Sequence, residues 1–184
     1  MFIKDVVKIS ADVLNMENVV NYIDNSVKVG DAKEKSEKLT RLTELVINEL
    51  CQVAFTCCKS DVVTPPTTKV LFSSLSANPI RVLKVTDDNG KEVEFTCFNG
   101  GMESPCEISY VEYAYYPKKL ELNSQVCFVE TNVTEEMIAM GVVAEYLLTI
   151  FDFDGALFWH KRFEELVKKC VTLKNSNIKS RSWL

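Results

Sequence analysis

One histidine, six glycines and five prolines are all that 184 residues hold of the side chains most used for zinc sites, phosphate loops and tight turns. His160 has no Cys or His partner at zinc-ligand spacing, and the seven cysteines (Cys51, Cys57, Cys58, Cys97, Cys106, Cys127 and Cys170) form no Cys-x-x-Cys. That excludes the common structural zinc modules and the dithiol redox motif. An odd thiol count fits reduced, mostly buried cysteines acting as small apolar groups. No glycine-rich loop stands at a strand–helix junction, and there is neither a nucleophile elbow nor a His-Glu-x-x-His. The expectation is a protein that is not an enzyme and that holds no metal and no cofactor. The strongest apolar run, 137–151, is broken by Glu145 and is too short to span a bilayer. Met1-Phe2-Ile3-Lys4-Asp5 has none of the apolar core of a signal peptide, so residence in a cytosol is expected.

Acid is also missing from one end. From Leu166 onward there is no Asp or Glu, whereas Lys168, Lys169, Lys174, Lys179 and Arg181 all occur. The last 19 residues therefore carry +5, and the first 165, with 16 basic and 26 acidic side chains, carry −10. An acidic body argues against general nucleic-acid binding. The tail closes on Ile178, Lys179, Arg181, Trp183 and Leu184, with an aromatic in the penultimate position. Charge for steering beside an aromatic anchor reads as a docking element.

What is present reads as helices, then strands, then helices. Asn15 is a candidate cap for a short helix carrying Val19, Val20 and Ile23. The longest helix should open at Asp31 and run to about Cys58: Leu39, Leu42, Val46, Leu50, Val53 and Cys57 step by three and four. Its Lys- and Glu-rich start, 31–38, reads as a solvated end or a subunit contact, and Thr64-Pro65-Pro66 should stop it. Residues 70–72, 81–85, 92–95 and 108–116 are rich in β-branched and aromatic side chains. Asp87-Asp88-Asn89-Gly90 suggests a type I′ hairpin turn, and Gly100-Gly101 and Ser104-Pro105 suggest loops. Thr134 should cap a helix that is apolar on nearly every face, and Asp154 the next, whose stripe is Ala156, Trp159, Phe163, Leu166 and Cys170. The fold class expected is α+β: a small helical bundle with an inserted compact antiparallel β-sheet domain and an extended C-terminal tail. Its parts are 1–61 (N-terminal helices), 62–130 (inserted β-domain), 131–171 (C-terminal helices completing the bundle) and 172–184 (docking tail). Outside the core helices no long interface stripe is visible, so the free chain is expected to be monomeric.

Three constellations invite chemistry. His160 lies one step off an apolar stripe with no nucleophile beside it and reads as a surface or structural histidine. Asp152 and Asp154 read as helix caps rather than as a metal pair. Tyr113, Tyr115 and Tyr116 could stack bases, but their alternation with Glu112 and Ala114 in an acidic chain favours sheet packing.

The strand Tyr110-Val111-Glu112-Tyr113-Ala114-Tyr115-Tyr116-Pro117, then Gly141-Val142-Val143-Ala144-Glu145-Tyr146, Trp159-His160-Lys161-Arg162-Phe163 and the terminal Ile178-Lys179-Ser180-Arg181-Ser182-Trp183 together resemble the head–tail adaptor (connector) proteins of tailed bacteriophages. The resemblance covers most of the chain and rests on packing patterns, without a catalytic fingerprint. It implies a helical module with an inserted β-element, assembled as a homo-oligomeric ring of about twelve copies between the portal protein and a tail or tail-hub protein. It places the chain in the virion at the head–tail junction, after assembly in the host bacterial cytoplasm, with DNA passing through the channel unbound. It assigns portal docking to the tail, with Trp183 as anchor, Lys179 and Arg181 as charged partners, and Lys174, Ile178 and Leu184 beside them. Another head-closure or tail-completion protein would share this design. A cytosolic enzyme or metal-binding domain built on the cysteines is the reading from a different class.

Overall fold

A computed structural model describes residues 1–25, 30–53, 55–130 and 132–176. Among them lie five helices and five strands, in the order helices, strands, helices. The α+β class is as expected from the sequence. Two compact units divide the chain: a helical unit from 1–55 and 117–184, and a β-unit from 56–116.

The helical unit is built from α1 (Ile3–Val13), α2 (Glu17–Asn25), α3 (Ala32–Val53), α4 (Glu135–Thr149) and α5 (Phe153–Ser176). Helix α4 is its centre and packs on α1, α3 and α5. Thr134 caps α4, its Oγ1 accepting the Met137 N–H at 3.2 Å, and Glu135 and Glu136 sit in the first turn where the helix dipole favours them. Nine of the fifteen residues of α4 are buried, so its lack of a polar face reflects neighbours on several sides. Gly141 makes that packing possible: a Cβ there would sit 2.8 Å from Val46 Cγ1 and 3.2 Å from Phe163 Cε2. On α3 the buried positions include Ser36, Thr40 and Thr43 as well as Leu39, Val46, Ile47 and Leu50. The two threonine hydroxyls donate to the carbonyls four residues back at 2.8 Å, which satisfies them inside the core.

Several boundaries differ from the sequence expectation. Helix α3 ends at Val53, and Cys57 and Cys58 already belong to β1 (Cys57–Leu71). Beyond that point β-branched residues recur, and pairing with a partner strand overrides the helical step. Pro65 and Pro66 interrupt the ladder inside β1, where the register shifts between Val62 and Thr67, instead of ending a helix. The start of α3 is also not simply solvated, since Ala32 and Ser36 are buried. Asn15 does not cap α2. It takes a left-handed φ of 55° just after α1, and its N–H donates to Asp12 O. The helix cap before α5 is Asp152, whose Oδ1 accepts the Gly155 N–H at 3.0 Å, and Asp154 lies inside the first turn. Helix α5 runs through 172–176, where the sequence suggests an extended tail.

The β-unit spans 56–116, where the sequence suggested 62–130. Its long central strand β4 (Gly101–Tyr115) pairs antiparallel with β1, with β2 (Pro79–Thr86) and with β3 (Thr96–Phe98). Ser104 and Pro105, expected in a loop, lie inside β4. Residues 92–95 contribute one bridge at Glu92 rather than a strand. The turn after β2 is not type I′: only Gly90 has a positive φ (76°), its N–H donates to Asp87 O, and Asp87 N–H donates to Lys91 O. A single left-handed glycine closing a type I turn gives the longer, bulged hairpin. Val70, Val85, Val93, Met102, Ile108, Val111 and Tyr113 form the core of this unit. The fifth strand, β5 (Cys127–Phe128), belongs to the helical unit's chain. Residues 117–130 belong with the helices because the N-terminus and α3 hold them. Ile3 N–H donates to Ser124 O, Val126 N–H donates to Met1 O, and Leu120 N–H donates to Glu44 Oε2 at 2.8 Å.

Candidate docking surfaces

Of the residues assigned to docking from the sequence, Lys174 falls on the last turns of α5. Ile178, Lys179, Arg181, Trp183 and Leu184 lie outside the described residues. What the structure adds is an apolar corner that periodicity did not reveal.

The corner is the junction between α4 and α5. At the end of α4, Asp152 N–H donates to Leu147 O at 3.0 Å and Phe151 N–H donates to Leu148 O at 3.2 Å, the two crossed bonds of a Schellman helix end. That motif needs a left-handed residue at its apex, usually glycine. Here the apex is Phe151, at φ 64°. A bulky side chain in that region costs about 1–2 kcal/mol, and the residue is 79% exposed. Asp152 follows at once as the cap of α5, so the turn is fixed from both sides. Around it Leu148, Ile150, Phe153, Leu157 and Phe158 are exposed, Phe153 by 63%. Phe151 and Phe153 meet edge to face at 6.3 Å, and Phe158 and Trp159 at 5.5 Å. The Arg162 guanidinium lies 5.8 Å from the Phe158 ring and 5.3 Å from the Trp159 ring, and among the described residues it has no carboxylate within ion-pair distance. Scattered exposed apolar residues are ordinary, but a contiguous aromatic group of this kind marks a contact surface.

A second surface of the same unit is a groove of about 470 Å³ between the end of α3 and α5. Leu50, Phe163, Val167 and Val171 form its apolar walls; Glu49, His160, Glu164 and Lys168 stand at its rim. Glu164 accepts from Lys168 Nζ at 2.9 Å and lies 3.4 Å from His160 Nε2. The Lys168 hydrogen bond and charge hold the Glu164 carboxyl below its usual range. Burial, with the charge of Glu145, pushes the Glu49 carboxyl up, and the charge of His160 opposes that shift only in part.

The remaining candidates read as structural. Tyr113 is fully buried and cannot stack bases. Its hydroxyl donates to Asp61 Oδ2 at 2.7 Å and accepts the Ala77 N–H at 3.1 Å. Ser76 adds its N–H and its hydroxyl to the same carboxylate, each at 2.6 Å. Burial alone would raise the Asp61 carboxyl, but these three donors outweigh it and hold it below the ordinary value. His160 is an exposed helix-surface residue, as the sequence suggested. The cysteines correct their expectation: Cys57 alone is buried, Cys51, Cys58 and Cys170 are half-buried, and Cys97, Cys106 and Cys127 are exposed. Among the described residues no group of three or more His, Cys, Asp or Glu is placed to hold a metal. No described helix is long and apolar enough to cross a membrane.

No protein-family model matches the chain, and no curated protein matches it in sequence.

Proposed function

We propose that this chain is a non-enzymatic structural protein of a tailed-bacteriophage virion, a head–tail adaptor that forms a ring between portal and tail and docks on the portal through its basic C-terminal end. The observation that carries the reading is the chain's division: a helical unit from two separated segments, with a β-unit inserted between α3 and α4. That is the plan implied by the resemblance in residues 110–117, 141–146 and 159–163. The charge distribution supports it independently. A body carrying −10 disfavours sticking by DNA that must pass, while the +5 end supplies steering toward an acidic partner.

The test is incorporation onto purified portal rings. Deleting 177–184 should abolish incorporation and leave the melting transition in place, because the apolar stripe read from the sequence ends at Cys170. Trp183→Ala alone should weaken docking by about 2 kcal/mol, the usual cost of losing a central interface aromatic. Lys179→Ala and Arg181→Ala should weaken it in a salt-dependent way. Normal incorporation of the shortened chain rules out the tail as the docking element.

A further inference from the structure

Asparagine followed by glycine occurs at Asn89-Gly90 and at Asn99-Gly100, and both pairs are exposed, at turns of the β-unit. The pairing matters chemically because glycine has no Cβ to keep its amide nitrogen away from the preceding side chain. The structure holds the two pairs differently. At the first, the Gly90 N–H donates to Asp87 O at 3.1 Å and Asn89 Nδ2 donates to Asp88 Oδ1 at 2.9 Å. The Asn89 and Lys91 N–H groups both donate to Asp87 Oδ1, at 2.9 and 2.8 Å, which ties the turn further. Two carboxylates thus stand close to Gly90. At the second, Asn99 and Gly100 are the two residues that connect the ladder partners Phe98 and Gly101. The Gly100 carbonyl accepts the Phe72 N–H at 2.9 Å, but among the described residues neither the Gly100 N–H nor the Asn99 side chain has a hydrogen-bond partner. Lys69 and Glu103 are ladder partners beside this turn, so charge is balanced there.

We propose that Asn99 is a site of spontaneous covalent modification, converting to aspartate and isoaspartate, and that Asn89 is protected by its turn. The step is intramolecular and needs only water. The Gly100 nitrogen gives up its proton to solvent and bonds to the Asn99 side-chain carbonyl carbon; the side-chain nitrogen takes a proton back and leaves as ammonia. One water then opens the cyclic imide. Opening at the side-chain carbonyl gives aspartate, and opening at the main-chain carbonyl gives isoaspartate, in which the backbone runs through the former side chain. At Asn89 the same step must first break the hydrogen bonds of Gly90 N–H and Asn89 Nδ2, which by the ordinary net worth of two such bonds slows it about tenfold or more. The deprotonated nitrogen would also form beside Asp87 and Asp88, whose charges oppose it. The product has a structural consequence. Isoaspartate adds a main-chain carbon to a two-residue connection, and connection length fixes hairpin geometry. Gly101 leaves no slack, since a Cβ there would sit 2.6 Å from both Val70 O and Phe98 Cζ. Strand β3, only three residues long, should leave the ladder in isoaspartyl copies. The inference does not depend on the adaptor reading.

The experiment is incubation of the full chain in mildly alkaline buffer, below its melting transition, with peptide mapping by mass spectrometry at intervals. Conversion exchanges an amide NH2 for a hydroxyl, and the aspartyl and isoaspartyl peptides separate by chromatography. In the folded chain Asn99 should convert about tenfold faster than Asn89, or more, and the two rates should draw together in urea, where the turn no longer holds Gly90. Asp88→Ala removes the acceptor of the Asn89 amide and one of the two charges. It should speed conversion at Asn89 several-fold and leave the rate at Asn99 unchanged. Asn99→Gln, which would have to close a larger ring, should stop conversion at that position. Hydrogen exchange reads the consequence: 96–98 should lose protection in isoaspartyl copies and keep it in Asn99→Gln. Equal rates at the two sites in the folded chain, or a faster rate at Asn89, overturn the proposal. A ratio unchanged in urea does so too, because it assigns the difference to flanking residues instead of the turn. Isoaspartyl copies that keep 96–98 protected overturn the loss of β3.

Discussion

Tyr113 shows how one side chain ties the β-unit together. Its ring fills the core, and its hydroxyl carries a hydrogen bond to a carboxylate that already accepts two from Ser76. Hydrogen bonds to a charged acceptor are worth about 1.5–3 kcal/mol, so Tyr113→Phe should destabilise the β-unit by that order in urea unfolding. The sign of its pH dependence is set by the Asp61 carboxyl. A carboxyl held below its unfolded value contributes stability above that value and loses it as pH falls through the folded one. The gap between the parent and Tyr113→Phe should therefore be full at neutral pH and shrink in acid, below the ordinary aspartate range. A gap that stays constant into acid would show that the hydroxyl acts through packing alone. Phe151 is the opposite case, a residue that loses backbone energy while its ring meets Phe153 edge to face and stays largely exposed.

Among the elements, α4 is the one most exactingly packed. Gly141→Ala would gain about 1 kcal/mol of helix propensity. It would also press a methyl to 2.8 Å from Val46, a stiff β-branched side chain on α3, and overpacking of that kind costs about 1–3 kcal/mol. The overpacking wins, so thermal melting should show Gly141→Ala less stable than the parent; a stabilised variant would mean that α3 moves freely against α4. The burial of α4 was legible in its unbroken apolar composition, and its start in Thr134 followed by two glutamates. The helical step of α3 was legible too, but only as far as Val53. Cys57 continued the three–four spacing by coincidence, and only the strand it pairs within could correct that. Pro65 and Pro66 gave a stop signal of the right kind for the wrong element, since a ladder irregularity tolerates proline as a helix end does. The aromatic corner was present in the sequence as Ile150-Phe151-Asp152-Phe153, yet nothing local says that those rings face outward. Their exposure follows from a helix end with phenylalanine where glycine is usual, which is a property of φ rather than of hydrophobic period.

At the scale of the molecule, the chain enters the β-unit near Cys58 and leaves near Ala114, and those two residues are direct partners across the β1–β4 ladder. The ends of the insert are thus about 5 Å apart. Replacing 56–116 with a flexible linker of about five residues, ample for that span, should leave a helical unit that keeps its far-ultraviolet signature and melts cooperatively. Loss of cooperative melting would mean that the helices depend on the insert. The same adjacency bears on the order in which the chain finds its fold. Before the insert forms, α3 and α4 must meet across residues 54–134 of loose chain. Once the β1–β4 ladder has closed, only 54–55 and 117–134 still separate them, about a quarter of that length. By loop-closure entropy the difference is about 1 kcal/mol, enough to slow helix docking several-fold in any molecule whose sheet is still open. The insert then acts as a clasp in time as well as in space: the helical unit assembles promptly only after the segment interrupting it has shut. Refolding of the linker variant should accordingly outpace that of the Tyr113→Phe chain.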